Sequence, residues 1–202
     1  IKECAEQLGL KPSDYAIGTD NAFSEIQKTE ELRAKGLYDM RFSGLGIKTR
    51  EELIEFNASI VNSADNFVTM EDPGSESDVE AHKLMNAKYG NRVQIVLDDA
   101  AVTQMRFIIP FLAGREQKDR AGNSVLIKLN QAGTFTETCL ATEIVLGLAD
   151  VNRVERFLEA RGDIKKVLKD LKSLGIGSIA EAINNIKAIG STAFFSHRST
   201  EG

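Results

Sequence analysis

Only two cysteines, three prolines and no tryptophan occur in the chain, and these scarcities narrow what it can be. Cys4 and Cys139 stand in separate segments and form no CxxC pair. That removes a disulfide framework and suits a reducing compartment. No His-rich or Cys-rich cluster is present to take zinc or iron. No apolar run approaches the roughly 20 residues needed to span a bilayer, and no signal-peptide pattern occurs. Positive charge is also short. The net charge of −5 leaves no basic footprint for nucleic acid. A phosphorylated substrate is still compatible, because metals or local basic residues override the global balance. What remains is a soluble globular composition, 42% hydrophobic and 27% charged, with 202 residues for one sizeable core. The chain opens on Ile1 rather than methionine and stops at Gly202 directly after a dense polar motif, so it is expected to be part of a longer protein.

Short β-like runs alternate with amphipathic helical stretches. Strands are expected at Tyr15–Gly18, Phe67–Met70, Val93–Leu97, Ser124–Leu129 and Thr192–Ser196, each rich in β-branched or aromatic residues. Helices are expected over Arg50–Val61, Val79–Tyr89, Gln104–Ala113 and Glu137–Leu146. The first opens on Thr49 with Glu52 three residues on, a capping box. This alternation implies βα units and a mostly parallel sheet. Glu71 and Asp98 are 27 residues apart, and Asp98 and Lys128 are 30 apart. A charged residue therefore ends three successive strands, once per βα unit. In a (β/α)8 barrel such ends converge on one face, where active sites are built. A Rossmann-like sheet could share the period, but no GxGxxG turn follows a strand.

One interval breaks the period. Lys128 and His197 are 69 residues apart, about 40 more than one βα unit requires. The surplus lies near 150–188, and its apolar positions fit helical faces. Two helical segments are expected there, broken near Gly175–Gly177, packed outside the barrel and away from the strand ends. Lys165, Lys166, Lys169 and Lys172 are expected to form a solvated basic face.

Asp20, Glu71 and Asp98 offer oxygen ligands from separate strand ends, a set that suits a hard divalent cation such as Mg2+. Asp72 and Asp99, each second in an acidic pair, read as structural or supporting. Lys128 sits in the apolar run VLIKLN. Near bound metal, desolvation and cationic neighbours would lower its pKa, and such a lysine can abstract a proton α to a carboxylate. The last motif, FFSHRSTEG, groups His197, Arg198 and Ser199 after a strand; arginine with serine hydroxyls suits phosphate.

In order along the chain, IGTDNAFSE, EDP at Glu71–Pro73, LDDAAVT, NSVLIKLNQAGTFTET and SHRS resemble the signature blocks of the enolase family. The resemblance implies a partial (β/α)8 TIM-type barrel of the enolase superfamily, about strands three to seven. Residues 1–202 would be part of its C-terminal barrel domain, with a helical insertion near 150–188. It implies Mg2+ ligation by Asp20, Glu71 and Asp98, Lys128 as the base, and substrate contacts from His197, Arg198 and Ser199. The activity implied is that of a lyase, the reversible dehydration of 2-phosphoglycerate to phosphoenolpyruvate in glycolysis. A cytoplasmic homodimer acting on this small phosphorylated substrate is expected, with no nucleic-acid or membrane partner. The chain departs from the family pattern at Gly74, where a phenylalanine is usual, at Ala132, where an isoleucine is usual, and after Ser199. Those departures and the surplus keep a second reading in view, a non-catalytic enolase-like scaffold subunit of a larger assembly.

Overall fold

The computed structural model describes residues 1–195. A short helix α1 (Lys2–Gln7) leads to β1 (Ile17–Asp20), then α2 (Glu30–Lys35) and an antiparallel hairpin of β2 (Leu37–Asp39) and β3 (Ile47–Thr49). Regular alternation follows: α3 (Arg50–Val61), β4 (Phe67–Glu71), α4 (Val79–Tyr89), β5 (Gln94–Leu97), α5 (Met105–Leu112) and β6 (Ser124–Ile127). A single turn, α6 (Leu129–Ala132), precedes α7 (Phe135–Val145). The helices α8 (Val151–Arg161), α9 (Ile164–Ser173) and α10 (Ile179–Ile189) come before β7 (Thr192–Phe195).

Five strands form one sheet in the order β1-β4-β5-β6-β7, and every pairing in it is parallel. The order never reverses, so there is no topological switch point of the doubly wound kind. Right-handed crossovers then place successive helices on one face, the arrangement of a (β/α)8 barrel segment. β1 and β7 are the sheet edges among the described residues.

Boundaries follow local chemistry. Thr49 and Glu52 close a reciprocal capping box on α3, with bonds of 3.2 and 2.9 Å. Thr134 caps α7 two residues earlier than the apolar pattern suggests, by accepting from the Glu137 amide at 3.2 Å. β1 is displaced two residues from the expected Tyr15–Gly18, so Asp20 is its last residue rather than a loop position. β6 ends at Ile127, not Leu129, and leaves Lys128 as the residue that opens α6.

The β2–β3 hairpin, which hydrophobic periodicity did not reveal, is tied to the barrel segment by a buried polar knot. Asp78 caps α4 through the Ala81 amide, accepts from the Tyr38 hydroxyl at 2.9 Å and pairs with Arg50 Nε at 2.8 Å. Gly74 sits beneath this knot. A Cβ there would meet Ala81 Cβ at 2.5 Å and the Tyr38 oxygen at 3.2 Å, which explains why no bulky side chain follows the EDP segment.

The surplus forms three helices, not two. Gly162 adopts φ 77°, the left-handed C-cap that ends α8, so the segment breaks there as well as at Gly175–Gly177. Val154, Leu158, Val167, Leu171, Ile179 and Ile183 are buried in the same cluster as Ile108 of α5 and Ile144 of α7. α9 runs along α5: Arg106 faces Asp163 at 3.7 Å at one end, and Arg115 donates to the Gly175 carbonyl at 3.1 Å at the other. α10 lies by the far end of α5, where Asn185 donates to the Ala113 carbonyl at 3.0 Å. The α8–α9 turn instead comes up to the strand-end side. Arg161 there reaches Glu137, in the first turn of α7, at 3.2 Å. The expected separation of the whole surplus from the strand ends is therefore corrected at this turn. Lys165, Lys166, Lys169 and Lys172 are all exposed.

Because the surplus shares the main core, Leu171→Ala, at a fully buried position, should destabilise the whole chain by about 2–5 kcal/mol. Urea unfolding should show one shifted transition. A separate early transition confined to the added helices would mark them as a detachable appendage.

Candidate metal centre at the strand ends

Asp20 and Glu71 are register partners at the ends of β1 and β4, and Glu71 lies beside Val96 of β5. Asp98 and Lys128 each stand one residue past their strand, β5 and β6. The parallel sheet thus brings all four to one edge. Asp98 is buried, Glu71 and Lys128 are half-buried, and Asp20 is exposed.

Asp98 is the hub. Lys128 Nζ donates to its Oδ2 in a short ion pair, and Gln131 Nε2 donates to its Oδ1 at 2.8 Å. Glu71 lies near enough to Asp98 for the two acids to influence each other's ionisation. Burial raises the Glu71 pKa first, and Asp20 and Asp98 add to it. Asp20 is raised by burial and by the charges of Asp98 and Asp72. Asp99 is pushed up to about 6, by burial and then by Asp98 and Asp72. Lys128 departs from the expected lowering. Burial depresses it, but the hydrogen bond and charge of Asp98, helped by Glu71 and Asp99, outweigh burial and raise it.

Asp72 holds this cluster in shape. Its Oδ1 accepts from the Asp98 amide at 3.1 Å and its Oδ2 from the Asp99 amide at 2.8 Å. The wholly buried His82 on α4 places Nε2 3.3 Å from the same carboxylate and Nδ1 3.0 Å from the Asp78 carbonyl. The ring thus bridges the Asp72 carboxylate and the start of α4. Asp72, Asp98 and Asp99 are the group of acids whose oxygens all approach within 4.8 Å among the described residues. Even so, Asp72 is a poor ligand, because both its oxygens are held by backbone amides, which cannot turn away, whereas the partners of Asp98 are the movable side chains of Lys128 and Gln131. Its work is to aim the loop that carries Asp98.

That loop is strained. Its Val102 and Thr103 take φ of 43° and 53°, and Asp72 in the neighbouring β4–α4 loop takes 41°, a conformation that costs roughly 1–3 kcal/mol each and gathers at functional sites. The strain has a use. The Thr103 hydroxyl accepts from the Lys128 amide at 2.9 Å and fixes where that lysine leaves the strand. Thr103, Gln131 and His82 were not singled out from the sequence. Gln131, inside the KLNQ block, was the one with a signal. His197, Arg198 and Ser199 lie outside the described residues.

A barrel segment with carboxylates and a lysine gathered at its C-terminal strand ends belongs to the class of barrel enzymes that work at that face. The family model described as "Enolase, C-terminal TIM barrel domain" matches residues 1–150, and the chain belongs to that family. It is thus a domain of the enolase superfamily, a family of lyase-type enzymes, with the fold of a partial TIM barrel. The match stops where the three added helices begin. Among the described residues, no helix is long and apolar enough to cross a membrane.

Two outcomes test this geometry. Asp72→Ala should leave the chain folded but weaken Mg2+ affinity about 10- to 100-fold, the usual effect of removing a support behind a ligand, as read by calorimetric titration. The second concerns pH. The folded-state pKa of Glu71 lies above its ordinary 4.5, so its ionisation opposes folding. In chelator, stability should fall as pH rises above 4.5, and Glu71→Gln should remove that component of the slope in urea unfolding followed across pH.

Proposed function

We propose that this chain supplies the metal- and base-bearing part of an enolase, converting 2-phosphoglycerate reversibly to phosphoenolpyruvate. The observation that carries the reading is the Asp98–Lys128 pair, flanked by Glu71 and Asp20 at adjoining strand ends. An all-oxygen set crowded enough to raise Glu71 and Asp20 fits a hard divalent cation better than a soft one. Asp20, Glu71 and Asp98 would hold Mg2+. When bound, the cation would offset their charge and stabilise the negative charge that builds on the substrate carboxylate.

Lys128 carries the proton transfer. Its neutral amine accepts the proton from C2 of 2-phosphoglycerate. The C2–H electron pair is first held by the carboxylate and then forms the C2–C3 double bond as hydroxide leaves C3 and is protonated to water. In the reverse direction the Lys128 ammonium returns a proton to C2. The amide bond to Thr103 and the pairing with Asp98 limit where Nζ can point. Arg198 and Ser199 would hold the phosphate and His197 would contact the substrate. Residues 1–202 together would be part of the barrel domain, with 150–188 as its insertion. A homodimer in the cytoplasm is the assembly that fits this role. A scaffold without chemistry would have no use for a strained loop that positions a half-buried lysine.

In the full-length enzyme, Lys128→Ala should abolish exchange of the substrate C2 proton with solvent while Mg2+ binding survives. Proton exchange can be followed by NMR in deuterated buffer. Undiminished exchange would assign the base to another residue, and loss of metal binding would make Lys128 structural.

A further inference from the structure

A cavity of about 270 Å3 lies between α4, α5 and α9, away from the strand-end cluster. Three cations line it: Lys83 from α4, Arg106 from α5 and Lys166 from α9. The Arg106 guanidinium and the Lys166 ammonium both sit over the Phe107 ring, 4.7 and 5.0 Å from its centroid. Phe107 and Phe111 stack at 6.0 Å and give the cavity an apolar wall. Two like charges at one ring repel each other, and the ring's quadrupole offsets only part of that. Acceptors are few. Arg106 faces Asp163 at 3.7 Å, its Nε is buried without a hydrogen-bond partner, and Asp170 is the single acid in the lining. Among the described residues, neither Lys83 nor Lys166 has a carboxylate within 4.0 Å. This positive pocket stands in a chain of net charge −5, so composition alone does not account for it.

We propose that this cavity is a binding site for a small organic anion with a flat apolar ring, such as an aryl phosphate. The anion would lie among Lys83, Arg106 and Lys166, and the ring against Phe111 and the neighbouring Pro110. The volume is just below the range of drug-sized pockets, which fits a fragment-sized ligand. α9 supplies Lys166, so the site exists only because the added helices dock on α5. It does not depend on the reading of the strand-end centre.

1-Naphthyl phosphate, titrated into the full chain by calorimetry with inorganic phosphate in parallel, tests the proposal. One saturable site for the aryl phosphate is expected, with inorganic phosphate binding it more weakly. Affinity should fall about tenfold or more, 1.4 kcal/mol or more, in Lys166→Glu, and comparably in Lys83→Glu. Lys166 is exposed, so its reversal should leave the fold intact, as circular dichroism would confirm. Absence of saturable binding, or binding unchanged in both variants, would overturn the proposal. Inorganic phosphate binding as tightly as the aryl ester would overturn it too, by showing that the apolar wall contributes nothing.

Discussion

Negative charge crowded at the ends of neighbouring parallel strands is the constraint around which the rest of the structure is arranged. A parallel ladder sets its strand ends side by side, so Asp20, Glu71 and Asp98 come to one edge whether or not that favours folding. Burial first, and their repulsion after it, raise the pKa values of Asp20 and Glu71. One cation, Lys128, answers directly. Oriented amides answer indirectly. Asp72 is buried beside the same acids, but the amides of Asp98 and Asp99 point at its oxygens and His82 sits behind it. Such a network is worth having only when every member is satisfied, since a half-paired buried charge costs several kcal/mol.

The backbone bears the cost of that arrangement. Val102 and Thr103 are β-branched residues held in the left-handed region, where a free chain would rarely keep them. They stay there because the turn closes on Asp98 itself, whose carbonyl accepts from the Ala101 and Val102 amides at 3.1 and 2.7 Å. The same turn then hands the Thr103 hydroxyl to Lys128. Acid and base are thereby set relative to each other through a tight turn with two strained residues rather than through a long flexible loop.

Much of this was legible in the sequence. Capping at Thr49, the βα period and a charged residue at each strand end were enough to give the parallel sheet and the edge on which the cluster forms. Periodicity places a residue on an edge but does not say which neighbour its side chain meets. That is why the upward shift of Lys128 was missed: it follows from the Asp98 contact, which no spacing encodes. The hairpin was missed because β2 and β3 are three residues each, too short to show alternation. The third added helix has a fainter signature, the single Gly162 between Arg161 and Asp163, which takes the left-handed C-cap that ends α8. His82 carried no signal at all. A lone histidine on a buried helix face is indistinguishable in sequence from a core residue until its carboxylate partner is seen.

The three added helices sit where a barrel unit tolerates length, between the outer helix of one unit and the next strand. Closing a longer loop there costs little entropy per added residue. Yet they are not inert packing. Arg161, at the α8–α9 turn, reaches Glu137, and the amide of Met105, the first residue of α5, lies near enough to favour its ionised form. That carboxylate is buried at the start of α7, which follows Lys128 through the single turn of α6, and there burial raises its pKa while the Arg161 charge opposes the rise. A buried acid depends on such partners to remain ionised. The helices that appear to be surplus in the sequence therefore help fix the junction of α5 and α7, the two helices that follow the strands delivering Asp98 and Lys128.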